Sequence, residues 1–396
     1  MRVLMVSDVY FPRVNGVSTS IQTFRRELPA CGVSVDLIAP AYPNEADAPD
    51  VIRIPSRYLP FDPEDRLMRR SLIDALLPEL QPKRYDLVHI QTPFVAHYAG
   101  VALARQLRVP VVATYHTFFE EYLHHYAKIL PAGWTRALAR RFSRGQCNDT
   151  AGIIAPSIAM RDALRGYGVT VPIEIIPTGI PLNQFQGGDG ARFRREHGIA
   201  PERKVALFVG RVAHEKNIDL LLAMTAIARS SHPDILLVIA GEGPALPHLQ
   251  SQVAKLGLHD HVRFIGYLDR ATSLLDCYRA ADLFVFGSTT ETQGLVLLEA
   301  MAMGVPVVAI PAMGAYDILS PEKGCRCTQN DAGAFAATVS SLLADAALRA
   351  QLGREAQDYA QGWSAPATAE RLAGFYQQVI ASQARYPAST PAGVPA

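Results

Sequence analysis

The chain is poor in cysteine: five among 396 residues, all scattered. Only Cys325 and Cys327 are close, and their spacing fits neither a zinc knuckle nor a redox motif. A disulfide framework is excluded, and reduced thiols in the cytoplasm are the expectation. An excess of charge of one sign is also missing. The formal net charge is +1, which does not suit a nucleic-acid binder, and no nucleic-acid partner is expected. No apolar run reaches the roughly 18–20 residues that span a bilayer. The opening segment Met1-Arg-Val-Leu-Met-Val-Ser-Asp8 turns polar too soon for a signal peptide and reads as a buried strand. A G-x-G-x-x-G loop is absent, which removes the phosphate cradle of a dehydrogenase.

Hydrophobic residues make up 49% of the chain, enough for sizeable cores, and the length favours two or three domains. Short β-branched runs at 3–6, 33–38, 87–90, 109–114 and 152–155 alternate with helical patterns. That alternation argues βαβ units and a parallel sheet covered on both faces. Pro and Gly punctuate Ile176-Pro-Thr-Gly-Ile-Pro181, and Gln186-Gly-Gly-Asp-Gly190 reads as a linker or surface loop. A second series follows at 205–209, 235–240, 262–265, 283–286 and 305–310. The expected fold class is α/β: two doubly wound, Rossmann-like domains, 1–180 and 181–363, facing each other across a cleft at the carboxyl ends of their strands. A helix is expected from about 367 to 382, and the Pro/Ala-rich tail 385–396 is expected to be disordered.

Segment 282–310 carries the most chemistry. A strand ends in a loop holding Glu291, and Gly294 opens a helix through about Met303. The helix N-terminus, at Gly294, Leu295 and Val296, offers unpaired N–H groups and a positive dipole end to a pyrophosphate. Glu299 sits on an otherwise apolar helix, so its carboxylate must be partnered or face a ligand such as sugar hydroxyls. Spacing alone leaves open a capping glutamate plus a helix-surface glutamate. The segment from Phe208 to Asn217 leaves a buried strand through Gly210 and supplies Arg211 and Lys216, two cations suited to a diphosphate. Solvated loop charges are the alternative. The early loop before a helix near Ser18 contains Gly16, which permits close approach of a ligand. His116 follows the strand 109–114 and would face the cleft, although a satisfied core or loop histidine is the commoner case and the favoured one in isolation. His124 and His125 follow, with no zinc-ligand spacing. Gly241, in Gly241-Glu-Gly-Pro244, and Tyr267, after Gly266, are placed to line a nucleotide pocket. Trp134, Arg136, Arg140, Arg141, Phe142 and Arg144 form a basic aromatic helix that suits an anionic membrane surface, or a plain solvated face. Tyr115, Phe118, Phe119, Tyr122, Leu123 and Tyr126 add apolar surface upstream.

Glu291-x7-Glu299, Val-Gly-Arg…Glu-Lys-Asn217, Gly241-Glu-Gly-Pro244 and the Asn15-Gly-Val loop together resemble the retaining glycosyltransferases of family 4, over roughly 1–380. The resemblance implies the GT-B fold, an N-terminal acceptor domain and a C-terminal nucleotide-sugar domain. It also implies a crossover helix, 364–384, packing back on the N-domain from Trp363-Ser. It would assign Glu299 to the donor ribose and Glu291 to the transferred sugar. Arg211, Lys216 and the backbone of Gly294, Leu295 and Val296 would hold the diphosphate. Gly16 would lie against phosphate or acceptor, and His116 beside the donor sugar. No metal and no cofactor beyond the nucleotide-sugar donor, a UDP-sugar foremost and GDP-mannose second, is implied. Glu291-Thr-Gln-Gly294, where many members carry Ser-Phe after the first glutamate, looks more like the members that glycosylate diacylglycerol. The implied partner is a membrane lipid, with peripheral contact to the inner face of the cell membrane. A polysaccharide or soluble acceptor is the rival within the class. A two-domain sugar receptor and a pyridoxal phosphate phosphorylase are the rivals outside it.

Overall fold

The computed structural model describes residues 1–43, 48–59, 62–116 and 132–385. The chain forms two compact units, Met1–Gly179 with the helix Ala365–Arg385, and Ile180–Ser364. In the first unit the strands are β1 Arg2–Val6, β2 Ser34–Pro40, β3 Val51–Ile54, the hairpin β4 Ser56–Leu59 and β5 Asp62–Met68, then β6 Leu87–Ile90, β7 Val111–Thr114, β8 Gly152–Ala155 and β9 Ile173–Ile175. Seven of them form a parallel sheet in the order β3-β2-β1-β6-β7-β8-β9, and the hairpin stands apart. In the second unit β10 Lys204–Val209, β11 Ile235–Ala240, β12 Val262–Gly266, β13 Leu283–Phe286, β14 Val307–Ala309 and β15 Cys325–Cys327 form a parallel sheet ordered β12-β11-β10-β13-β14-β15.

Both sheets run outward from a central strand, then return to its other side. The order reverses between β1 and β6 in the first unit and between β10 and β13 in the second. The loops leaving adjacent strands diverge there, and a ligand crevice opens beyond the carboxyl ends. The central strands are apolar along their length because helices cover both faces; all six residues of β11 are buried. The central strands match the expected runs to within a few residues. The elements that were not expected are β3, β9, β15 and the hairpin. The three sheet strands lie at sheet edges, where one side needs no apolar neighbour and the period weakens.

The C-terminal helix Ala365–Arg385 extends past the 367–382 pattern at both ends and matches 364–384 to within one residue. Leu372, Phe375, Tyr376 and Val379 are buried in one core with Val3, Ile21, Phe24 and Leu28 of the first unit. Each large apolar side chain so buried contributes about 1.5–3 kcal/mol, which docks the helix firmly on a unit remote from it in sequence.

Candidate active site

In the second unit the loops after β10 and β13 meet at the order reversal. Lys216 Nζ, from the first, is paired with Glu291 Oε1, from the second. Two largely buried charges in contact there are screened little by salt. The turn carrying Lys216 is anchored beside it. Asn217, left-handed at φ 54°, donates from Nδ2 to the Gly287 carbonyl at 3.0 Å and to Asn330 Oδ1 at 3.0 Å. Arg211 lies exposed at the start of the same loop.

Gly294 is left-handed, φ 89°, and caps the helix Leu295–Ala302. A side chain there would cost steric strain. Leu295 and Val296, half-buried, open that helix, whose first N–H groups have no intrahelical acceptor. Glu299 is 3% exposed. Its Oε1 accepts from Arg270 Nη2 at 2.5 Å and its Oε2 from the Tyr278 hydroxyl at 3.0 Å. The buried carboxylate is therefore partnered within the protein. Its charge holds the Arg270 guanidinium above its usual range; burial, then the same charge, hold the Tyr278 phenol well above its own.

The glycines of Gly241-Glu-Gly-Pro244 serve a purpose that composition did not reveal. A Cβ on Gly241, φ 135°, would stand 1.9 Å from the Gly210 carbonyl oxygen, and one on Gly243 would stand 2.4 Å from that of Val212. The loops after β10 and β11 are laced at this contact by Gly210 N–H to Ala240 O at 3.0 Å and Val212 N–H to Glu242 O at 2.9 Å. Gly241 thus fixes the loop of Arg211 and Lys216. Its N–H also takes the Gly266 carbonyl at 2.7 Å, which leaves the 58% exposed Tyr267 next along the edge. Gly314 was not anticipated: its N–H donates to Glu291 O at 2.8 Å, and a Cβ would lie 1.9 Å from Thr292 O. It holds the Glu291 loop by backbone contact, a role without sequence signature.

The first unit has its own polar centre at the equivalent reversal. Asp8, after β1, is buried; its carboxylate accepts from the Thr92 hydroxyl at 2.8 Å and from Ala96 N–H at 3.1 Å, in the first turn of the helix Val95–Leu107. Burial pushes the Asp8 carboxyl up to about 6 against those hydrogen bonds. His116, after β7, bonds through Nε2 to Gln91 Oε1 at 3.0 Å. Gln91 Nε2 reaches His89 Nδ1 at 3.1 Å, Tyr376 O–H meets the same nitrogen at 2.6 Å, and His89 Nε2 meets Thr114 Oγ1 at 2.7 Å. The assignment that satisfies every contact makes His89 Nδ1 an acceptor and gives His116 its proton on Nε2, leaving Nδ1 of His116 as a base or acceptor. Burial holds His89 down to about 3, with His116 adding to it, and His116 down to about 4, so both rings are neutral. A pocket lined by Gln91, Thr92, Tyr115, His116 and Gln146 opens beside them. His116 is thus held through Nε2, and it borders a pocket as well. Gly16 is the first residue of the helix Gly16–Glu27, capped by Asn15, two residues earlier than expected; no atom lies within 4 Å of a Cβ placed on it. Phe118, Phe119, Tyr122, Leu123, His124, His125 and Tyr126, the side chains of Trp134 and Arg136, and the tail 386–396 lie outside the described residues.

Comparison with known proteins gives the family. A family model described as Glycosyltransferase Family 4 matches residues 14–184, and one described as Glycosyl transferases group 1 matches residues 189–359. An alpha-monoglucosyldiacylglycerol synthase from Streptococcus pneumoniae is 36% identical over 320 residues, covering 78% of this chain and 71% of that protein. The chain belongs to the family 4 glycosyltransferases. A GDP-mannose-dependent alpha-mannosyltransferase from Corynebacterium glutamicum is 30% identical, covering 81% of this glycosyltransferase and 75% of that one. Its fold is GT-B: sucrose-phosphate synthase from Thermosynechococcus elongatus superposes with a TM-score of 0.77 at 23% identity over 96% of this chain and 99% of that one. HepE from Anabaena, solved with UDP-glucose, superposes with a TM-score of 0.75 at 20% identity over 96% of this chain and 100% of that one.

The buried histidines of this glycosyltransferase set an acid limit. Both fold with depressed values, so the unfolded chain, near 6.5 for each, takes up more protons as pH falls. Their contribution is present above about 6.5 and is lost as pH drops toward their folded values. Asp8 runs the other way: its raised value favours the fold below about 4 and that contribution is lost as pH rises through about 6. Two histidines outweigh one carboxyl, so the thermal midpoint is expected to fall between pH 6.5 and 4, by the equivalent of several kcal/mol. Scanning calorimetry across that range checks it: His89→Gln flattens the slope and Asp8→Asn steepens it. Parallel slopes in all three proteins would refute the assignment.

Proposed function

We propose that this glycosyltransferase moves a hexose from a UDP-sugar to the hydroxyl of a membrane lipid, with diacylglycerol as acceptor, and with retention at the anomeric carbon. The observation that carries the donor half is the Lys216–Glu291 pair at the sheet reversal, beside the N-terminus of the Leu295–Ala302 helix. A cation and backbone N–H groups there suit a departing diphosphate, so the transfer needs no metal in this reading. Glu291 would take hydroxyls of the sugar, and Glu299 those of the ribose. Departure of the diphosphate leaves an oxocarbenium-like sugar. A leaving phosphate oxygen then takes the acceptor's proton as that hydroxyl attacks from the same face. Neither glutamate serves as a hydrolase-type acid or base.

The acceptor half draws on the relatives and on one surface. The Streptococcus pneumoniae relative and one from Acholeplasma laidlawii, 29% identical, are both named for diacylglycerol glucosylation. In the helix Ala132–Asn148, Leu138 is 63% exposed and Arg140, Arg141 and Arg144 are exposed beside it, while Ala139, Ser143, Gln146 and Cys147 are buried. An apolar side chain among exposed cations suits the headgroup region of an anionic leaflet. Among the described residues no helix is long and apolar enough to cross a membrane, so the contact would be peripheral. The second reading, a mannosyl donor, rests on the relatives named GDP-mannose-dependent.

A thermal-shift screen of UDP-, GDP- and ADP-sugars identifies the donor, and transfer to diacylglycerol in mixed vesicles against water-soluble acceptors identifies the acceptor. Stabilisation by the UDP-sugar, sedimentation with anionic vesicles at low salt and label in the lipid phase are expected. A preference for GDP-mannose would overturn the donor, and transfer to soluble acceptors alone would overturn the lipid.

A further inference from the structure

A cluster that begins on the turn carrying Lys216 has a chemistry of its own. His214 comes from the turn His214–Lys216, Asp219 from the first turn of the helix Ile218–Ala228, and His248 from the first turn of the helix Leu246–Lys255. Each offers one ligand atom, and these atoms all lie within 4.8 Å of one another. His248 Nε2 and Asp219 Oδ1 are already 2.8 Å apart, and the ring of His214 stands 5.4 Å from that of His248. Among the described residues no other three His, Cys, Asp or Glu side chains converge in this way.

We propose that His214, Asp219 and His248 bind a divalent transition-metal ion, zinc foremost, and that the ion staples the turn His214–Lys216 to the two helices. Two imidazole nitrogens and one carboxylate oxygen suit zinc, cobalt or nickel; magnesium and calcium prefer oxygen alone. A tetrahedral zinc with bonds of about 2.0–2.1 Å holds its ligand atoms about 3.4 Å apart. His248 and Asp219 part slightly to reach that spacing and His214 closes in, adjustments within the rotamer freedom of exposed side chains. Asp219 supplies the negative charge that two neutral rings lack. Three protein ligands leave the fourth position to water. The ion takes no step in the transfer itself. Its structural effect falls on the loop between Val212, laced to Glu242 and Ala245, and Asn217, tied to Gly287 and Asn330. These bonds anchor the two ends of the loop, and the metal would anchor its middle.

The test titrates the metal-stripped full chain with zinc chloride by calorimetry, and with cobalt chloride by visible absorption. One zinc per chain is expected, with the cobalt bands of a four-coordinate site and a higher thermal midpoint for the loaded protein. His214→Ala, Asp219→Asn and His248→Ala should each weaken zinc binding by at least about tenfold and abolish the cobalt bands. All three side chains are at least partly exposed, and circular dichroism checks that the variants fold. The chain has 11 histidines, so stray binding is separated by the variants. Zinc binding that is the same in the wild type and His248→Ala, or no saturable binding up to about 1 mM, overturns the proposal.

Discussion

Lys216→Ala is expected to lower kcat by about 10²–10³-fold, the usual loss when one preorganised charge or donor is removed from a developing anion. Two losses combine. The departing diphosphate loses a half-buried cation, and Glu291 loses the partner that holds its carboxylate across the sheet reversal. A half-buried carboxylate left without its cation is freer to move. Arginine is no substitute, because its planar fork does not occupy the space of an ammonium. Lys216→Arg should therefore recover only a small part of the rate. Arg211→Ala should cost less, since Arg211 lies exposed at the mouth of the same loop. Steady-state kinetics with the selected donor measures the loss, and an unchanged thermal midpoint shows that the fold survives. A kcat within about twofold of wild type, about 0.4 kcal/mol of barrier, would remove Lys216 from the site.

The candidate residues of the second unit were nameable because they sit at predictable points. A buried strand, a glycine and then charge describes the loops after β10 and β13, so Arg211, Lys216, Glu291 and Glu299 could be named from local pattern. Their partners could not. Arg270 and Tyr278 meet Glu299 from 29 and 21 residues away. Tyr278 in particular reads as an ordinary aromatic in an amphipathic helix, since its apolar ring is buried like its neighbours and only its hydroxyl reaches Glu299. Gly241 and Gly314 illustrate a second limit. A glycine in a loop signals backbone freedom, but whether a ligand or another backbone takes the space is decided by tertiary approach. In both cases it is backbone. In the first unit His116 stood out as polar at a strand end. His89 did not, because the strand Leu87–Ile90 absorbs it between apolar residues, and Tyr376 lies 287 residues away on the returning helix. The parallel sheets themselves followed from βαβ alternation. Three of the four sheet-edge strands, β3, β9 and β15, escaped because the burial that produces a pattern is weakest there.

Glu299→Ala is expected to weaken nucleotide binding by about 10–100-fold, the equivalent of one charge-assisted hydrogen-bond pair to the ribose hydroxyls. A trivial structural explanation competes with this result, because the same change strips Arg270 and Tyr278 of their acceptor. The Tyr278 hydroxyl, fully buried, would be left unsatisfied at a cost of about 1–3 kcal/mol in stability. Arg270 is more than a third exposed and can turn to water, so its loss is smaller. The two effects separate in the double variant. Tyr278→Phe removes the orphaned hydroxyl, so Glu299→Ala/Tyr278→Phe should regain much of the lost thermal midpoint while nucleotide affinity stays low. Glu299→Gln should fall between: it keeps an acceptor for Tyr278 but no charge for Arg270 or the ribose. Calorimetric titration of the nucleotide, set beside thermal midpoints, reads both quantities on the same four proteins. If affinity returned together with stability in the double variant, Glu299 would be a scaffold for the helix Leu295–Ala302 rather than a ligand of the donor. If affinity stayed low while stability returned, the carboxylate acts on the nucleotide directly, and Arg270 would be displaced from Oε1 as the ribose enters.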